Sequence, residues 1–187
     1  LVSLIEKVNA EKTGNDQIAI AGASMGGLVG RYAMTYMETN GKDHNSRLFL
    51  TFDSPHQGAN IPLGVQHWVE FFADHSAAAA DQLVNLNSPA SQQMLVYHFA
   101  SEPNYTENSL KSDLLNDLAS MGNYPSASGL RNVAVANGSG AGSAGGQLGN
   151  NDVPLNPGDQ IIEWNYWSLF VAIDGNAWAV PDESPET

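Results

Sequence analysis

Ile18-Ala19-Ile20-Ala21-Gly22-Ala23-Ser24-Met25-Gly26-Gly27-Leu28-Val29-Gly30-Arg31-Tyr32 is the stretch whose reading decides the fold. Ile18 to Ala21 is a short apolar run of the kind that forms a parallel strand covered on both faces. Beyond it Leu28, Val29, Tyr32, Ala33, Tyr36 and Met37 recur at helical spacing on one face, with Arg31, Thr35 and Glu38 on the other. Between strand and helix lies Gly22-Ala23-Ser24-Met25-Gly26, a G-x-S-x-G pentapeptide in the strand–turn–helix setting that gives such a motif its meaning.

A serine hydroxyl is a weak nucleophile until a base takes its proton, so it must stand where an imidazole can reach it. A sharp turn between strand and helix exposes it, but strains the backbone and crowds strand against helix. The absence of side chains at Gly22 and Gly26 is expected to relieve that crowding. The helix that starts after Ser24 points free N–H groups and the positive end of its dipole at the same place. The N–H of Met25 is the expected oxyanion donor. The bland alternative is a glycine-rich turn with an incidental serine; the strand before it and the amphipathic helix after it favour the nucleophile.

The segment Ala21-Gly22-Ala23-Ser24-Met25-Gly26-Gly27-Leu28-Val29-Gly30-Arg31-Tyr32 resembles the nucleophile segment of α/β-hydrolase lipases and esterases, commonly G-H-S-M-G-G-L-V-A-R-Y. Ala23 stands where His is usual, and Gly30 where Ala is usual. The resemblance implies an α/β-hydrolase fold, here partial: a mostly parallel sheet with helices on both faces.

A second apolar run, Arg47-Leu48-Phe49-Leu50-Thr51-Phe52, reads as a strand and leads into Asp53-Ser54-Pro55-His56-Gln57-Gly58. This segment is similar to the S-P-H-x-G loop that follows the nucleophile helix in many bacterial lipases. Asp53 has two readings. An acid at the carboxyl end of a parallel strand lies where sites form in open α/β sheets, and the resemblance allows a triad acid here; an Asp before Ser-Pro also caps a loop. His56 is a candidate base, although the resemblance implies a structural histidine at this place and a catalytic one late in the chain.

The rest divides by pattern. Leu1, Leu4, Ile5 and Val8 form a helical stripe, stopped by Gly14. Residues 63–125 read as a helical insertion, which the resemblance makes a cap or lid; Val65, Trp68, Val69 and Phe72 form one face. Ser88-Pro89 opens one helix, and Ser109 to Met121 forms another. Arg131 to Asn137 reads as a third buried strand, after which the resemblance often places the triad acid; the first acid to follow is Asp152, beyond a Gly/Ser-rich run. Residues 159–181 read as a β-hairpin insertion turning at Asp174-Gly175. His67, His75 and His98 lack metal-ligand spacing.

The chain has 187 residues, enough for one domain with a core, and no cysteine. Its net charge of −13 argues against nucleic acid and anionic membrane surfaces. No apolar run is long enough for a transmembrane segment. The chain opens inside a helix, without an initiator methionine, and reaches Ser24 before the strands that precede an elbow in this fold. It is therefore expected to be a single partial domain (1–187) of a longer protein, with the triad histidine and second oxyanion donor elsewhere and the segment alone inactive.

The expected activity is that of a serine hydrolase cleaving carboxylic esters, small-molecule or lipid, through an acyl-enzyme on Ser24. It requires no cofactor and no metal. A non-catalytic binding module on the same scaffold is the alternative, as is a hydrolase of thioesters or amides. The resemblance to extracellular bacterial lipases implies a secreted or cell-surface protein. Oligomeric state is left open.

Overall fold

The computed structural model describes residues 1–61, 63–101, 108–136, 160–168 and 171–178. They fall into two compact units, Leu1–Val135 and Ala136–Thr187. In the first, helix α1 (Val2–Glu11) precedes strand β1 (Ile18–Ala23), helix α2 (Met25–Thr39) and strand β2 (Ser46–Phe52). Helices α3 (Leu63–Ala73), α4 (Ala77–Leu86), α5 (Pro89–Met94) and α6 (Ser109–Ser120) follow, before strand β3 (Arg131–Val135) closes the unit. The strands lie in the order β1-β2-β3, all parallel. A three-stranded parallel sheet with its helices is the α/β architecture expected of the sequence, in partial form.

The core is small. Ile5, Met34, Met37 and Phe49 are buried together, with Val2, Ile18, Ile20 and Leu130 packed around them. α1 meets this core through Val2 and Ile5, and Asn9 on the same side bonds the His44 carbonyl (3.0 Å). Leu1, Leu4 and Val8 of the expected stripe are exposed, so the buried face is rotated about the helix axis.

β1 is not covered on both faces among the described residues. Ile18, Ile20 and Gly22 are half-buried beneath α2, whereas Ala19, Ala21 and Ala23 are exposed. Register places Ala23 beside Phe52 and Phe52 beside Val135, and this face stays open at both larger side chains.

α2 differs most from its sequence reading. Arg31 and Thr35, expected on the outer face, are 3% and 0% exposed, while Val29 and Tyr36 of the apolar stripe are exposed. The reason is close approach: glycines at 27 and 30 let the helix settle on the sheet along the Gly27–Gly30–Arg31–Met34 side. Polar groups drawn in are satisfied locally, as when the Thr35 hydroxyl donates to the Arg31 carbonyl (2.7 Å).

The helical segment has two serine N-caps, Ser76 and Ser88, and Pro89 opens α5. α6 runs as its pattern dictates, with Leu118 fully buried and Asn108 as N-cap. In α3 the buried residue is Gln66, outside the expected apolar face. Its amide donates to the Ile61 and Tyr97 carbonyls (2.8 and 3.0 Å) and accepts from the Phe99 N–H (3.0 Å).

In the second unit β4 (Gln160–Ser168) pairs antiparallel with β5 (Val171–Trp178). The turn does not fall at Asp174-Gly175. Those residues lie within β5, opposite Asn165 and Trp164, because β4 continues through the strand-favouring aromatics Tyr166 and Trp167 to Ser168.

Candidate active site

Strand β1 ends at Ala23, and Ser24 turns the chain into α2 with φ 49° and ψ −125°. A positive φ on a residue with a Cβ is strained, and such strain persists only where the surroundings enforce it. Two hydrogen bonds do so: the Ser24 N–H donates to the Phe52 carbonyl at the end of β2 (2.9 Å), and the Ser24 carbonyl accepts from the Gly27 N–H (3.1 Å). A serine before a helix ordinarily turns its hydroxyl back to cap an N–H. Ser24 does not; its side chain makes no capping bond and the residue is exposed.

Glycine at 22 is obligatory. A Cβ there would stand 2.4 Å from the carbonyl carbon and oxygen of Gly26. Gly26 plays a different part from the one expected, since a Cβ on it would meet open space; its backbone is what Gly22 must clear. The tight positions on the helix side are Gly27, against Ser54, and Gly30, against the Phe49 ring. Met25 is the first residue of α2, so its N–H has no carbonyl to serve within the helix and points out at the serine end.

Ser24 and Asp53 occupy matching places. Ala23 and Phe52 are paired in register, and each is followed by a residue with positive φ, 48° at Asp53. The Asp53 N–H donates to the Val135 carbonyl of β3 (2.7 Å). Both side chains therefore leave the carboxyl edge of the sheet from adjacent strands, spaced by about 4.8 Å in a sheet of this kind.

His56 faces the sheet. Its Nε2 is 3.0 Å from the Thr51 hydroxyl, its ring meets Tyr124 edge-on, and its Nδ1 is buried without a hydrogen-bond partner among the described residues. Burial and, after it, the Arg31 charge push its pKa below the ordinary histidine value. Both effects favour the neutral ring.

Arg31 is the residue that pattern reading misses. Its Nε donates to the Asn123 carbonyl (2.6 Å), its Nη1 to the His56 carbonyl (3.0 Å), and its guanidinium stacks 3.9 Å above the Tyr124 ring. It thus ties the loop after β2 to the turn after α6. Being amphipathic by period, α2 gives no signal that a guanidinium will be buried; the signal available is the Gly27–Gly30 spacing, which marks the side of close approach.

The remaining imidazoles lie elsewhere. His44 is buried with Nε2 3.0 Å from Glu38 and Nδ1 accepting the Ser46 N–H. His67 meets Glu70 (3.2 Å), His98 meets the Leu86 carbonyl (3.2 Å), and His75 packs against Phe71. Among the described residues the Ser24 hydroxyl is hydrogen-bonded to none of them. Asp152 falls outside the described residues. Among those described, no group of three or more His, Cys, Asp or Glu could hold a metal ion, and no helix is long and apolar enough to cross a membrane.

Searches of curated proteins and of solved structures found no match. A family model described as the PGAP1-like alpha/beta domain matches residues 1–137, which takes in both strained turns and the sheet beneath them. The chain belongs to the PGAP1-like alpha/beta domain family, an α/β-hydrolase-like family.

Proposed function

We propose that this chain carries the nucleophile of a serine hydrolase that cleaves carboxylic esters. One observation carries the reading: Ser24 sits strained, exposed and uncapped at the N-terminus of α2. Its hydroxyl attacks the ester carbonyl while a base removes the proton. The Met25 N–H donates to the oxyanion that forms, and its helix dipole adds to the effect. Collapse of the tetrahedral intermediate expels the alcohol, and water then hydrolyses the acyl-enzyme. Asp53, on the neighbouring strand end, is suited to orient an imidazole placed over Ser24. His56, held to Thr51 and packed edge-on against Tyr124, positions the loop rather than taking the proton.

The test is a fluorophosphonate probe with peptide mapping on the protein that carries this chain. Adduct on Ser24, with ester hydrolysis falling at least about 10³-fold in Ser24→Ala, is the expected result. Folded protein that takes no label overturns it. A non-catalytic binding module would then be the better reading. A panel of oxygen esters, thioesters and amides distinguishes the bond cleaved.

A further inference from the structure

The chain has five methionines and no cysteine. Peroxide therefore meets no thiol in it, and the thioethers are the sulfur groups left to oxidise. Exposure separates them. Met25 is 48% exposed, Met34 and Met37 are fully buried, and Met94 and Met121 are half-buried. Met25 is also the first residue of α2, one place after Ser24. Its side chain borders an open cavity beside that helix, which Val29, Tyr32, Met94 and Leu114 also line.

From this placement we propose that the Met25 thioether is a modification site for peroxide, and that its sulfoxide slows acyl transfer at Ser24. The site stands on exposure and composition; its effect rests on the reading of Ser24 as nucleophile. A sulfur lone pair attacks one peroxide oxygen, the O–O bond breaks and an S–O bond forms. The departing hydroxide takes the proton from the oxygen now on sulfur and leaves as water, so sulfur is oxidised by one electron pair and peroxide reduced by the same pair. Burial keeps Met34 and Met37, both core residues, from peroxide while the fold holds. A thioether is a weak acceptor, whereas a sulfoxide oxygen is strongly polar. The start of α2 leaves the Met25 N–H without a carbonyl partner within the helix and concentrates positive potential there. A sulfoxide oxygen tethered to the same residue competes with the oxyanion for that donor and that field.

In the test, the protein that carries this chain is treated with dilute hydrogen peroxide, and its peptides are mapped by mass against time. Met25 sulfoxide should form at least about fivefold faster than that of Met94 or Met121, with Met34 and Met37 untouched until urea is added. Hydrolysis of p-nitrophenyl butyrate should fall at least about tenfold in step with Met25 oxidation, at an unchanged urea midpoint. It should return when methionine sulfoxide reductases acting on both epimers are added. Met25→Leu protein, measured against its own untreated rate, should keep that rate under the same peroxide; Met94→Leu/Met121→Leu protein should lose it. Uniform oxidation of Met25, Met94 and Met121 overturns the site. Complete Met25 sulfoxide with undiminished hydrolysis overturns its effect on Ser24, as does an equal loss in Met25→Leu protein. Selective sulfoxide on folded protein whose Ser24 takes no fluorophosphonate keeps the site and removes the hydrolase reading instead.

Discussion

Ser24 and Asp53 are one register step beyond the paired residues Ala23 and Phe52, and both hold positive φ, 49° and 48°. Two strained residues side by side at the carboxyl edge of a parallel sheet are where a site is expected to keep its distortion. Removing the Cβ at 53 relieves about 1 kcal/mol of that strain. Asp53→Gly should therefore change stability in urea by less than about 1 kcal/mol, because the relieved strain is set against the side chain's own interactions and the freer unfolded chain. Its ester hydrolysis should fall at least about tenfold, since catalytic sites trade stability for geometry. A stable variant with undiminished kcat/KM would return Asp53 to the role of a loop residue.

Gly22→Ala places a methyl 2.4 Å from the Gly26 carbonyl, a backbone group that has no rotamer to yield. We expect a loss of about 1–3 kcal/mol, read from urea midpoints, with a drop in Ser24 labelling rate as the turn shifts.

Gly27→Ala meets a side chain instead. The new Cβ would fall 2.0 Å from the Ser54 Oγ and 2.6 Å from its Cβ. The double variant Gly27→Ala/Ser54→Gly should recover more than half of the stability lost by Gly27→Ala alone. A coupling below about 0.5 kcal/mol would mean that the loop moves away without strain.

Arg31→Met leaves the Asn123 and His56 carbonyls without their donor and should destabilise the protein by about 2–4 kcal/mol. It also removes the charge that, after burial, holds the His56 pKa below 6.5. An NMR titration should show the His56 value rise in the variant while staying below ordinary, because burial remains. The sign follows for stability. A folded value depressed below the unfolded one means that the unfolded chain takes up the proton first, so stability is held above pH 6.5 and lost as pH falls through the folded value.

Glu38 behaves likewise in acid. Burial alone would raise its carboxyl, but hydrogen bonds from His44 and from the Ser126 and Ala127 N–H groups outweigh that and hold it below 4.5. Its contribution is present above that pH and vanishes as pH falls through the lowered value. Glu38→Gln should lose about 1–2 kcal/mol at neutral pH, with the gap to wild type closing under acid.

What the sequence made legible is the order of elements and the turn at Ser24, because both are set by short-range signals: period, glycines and capping residues. The bounds of the three parallel strands and of α6 fall within two residues of their apolar patterns, although β1 leaves one face open and β3, expected to be buried, is mostly exposed. The faces of α1 and α2 were not legible. A helical stripe says that one side is apolar, but which side packs depends on how near the partner can come, and Gly27 and Gly30 decide that through Ser54 and Phe49. Gln66 and Arg31 were invisible for a related reason. Each is buried by satisfying backbone carbonyls far along the chain, Tyr97 and Asn123, which no local pattern encodes. The hairpin turn was misplaced because Asp-Gly is a strong local signal that a longer strand pairing overrode.

Met94 and Leu114, two of the residues that line an open cavity beside α2, belong to the crossover that joins β2 to β3. Doubling the length of such a connection adds only about 0.6 kcal/mol of closure entropy. The serine turn, by contrast, is held in a frame where a single methyl at position 22 collides with backbone. Selection can therefore resize or rebuild one wall of that cavity at little thermodynamic penalty while the Ser24 turn stays fixed. Divergence among proteins built this way should be written in the crossover and be nearly silent in the turn.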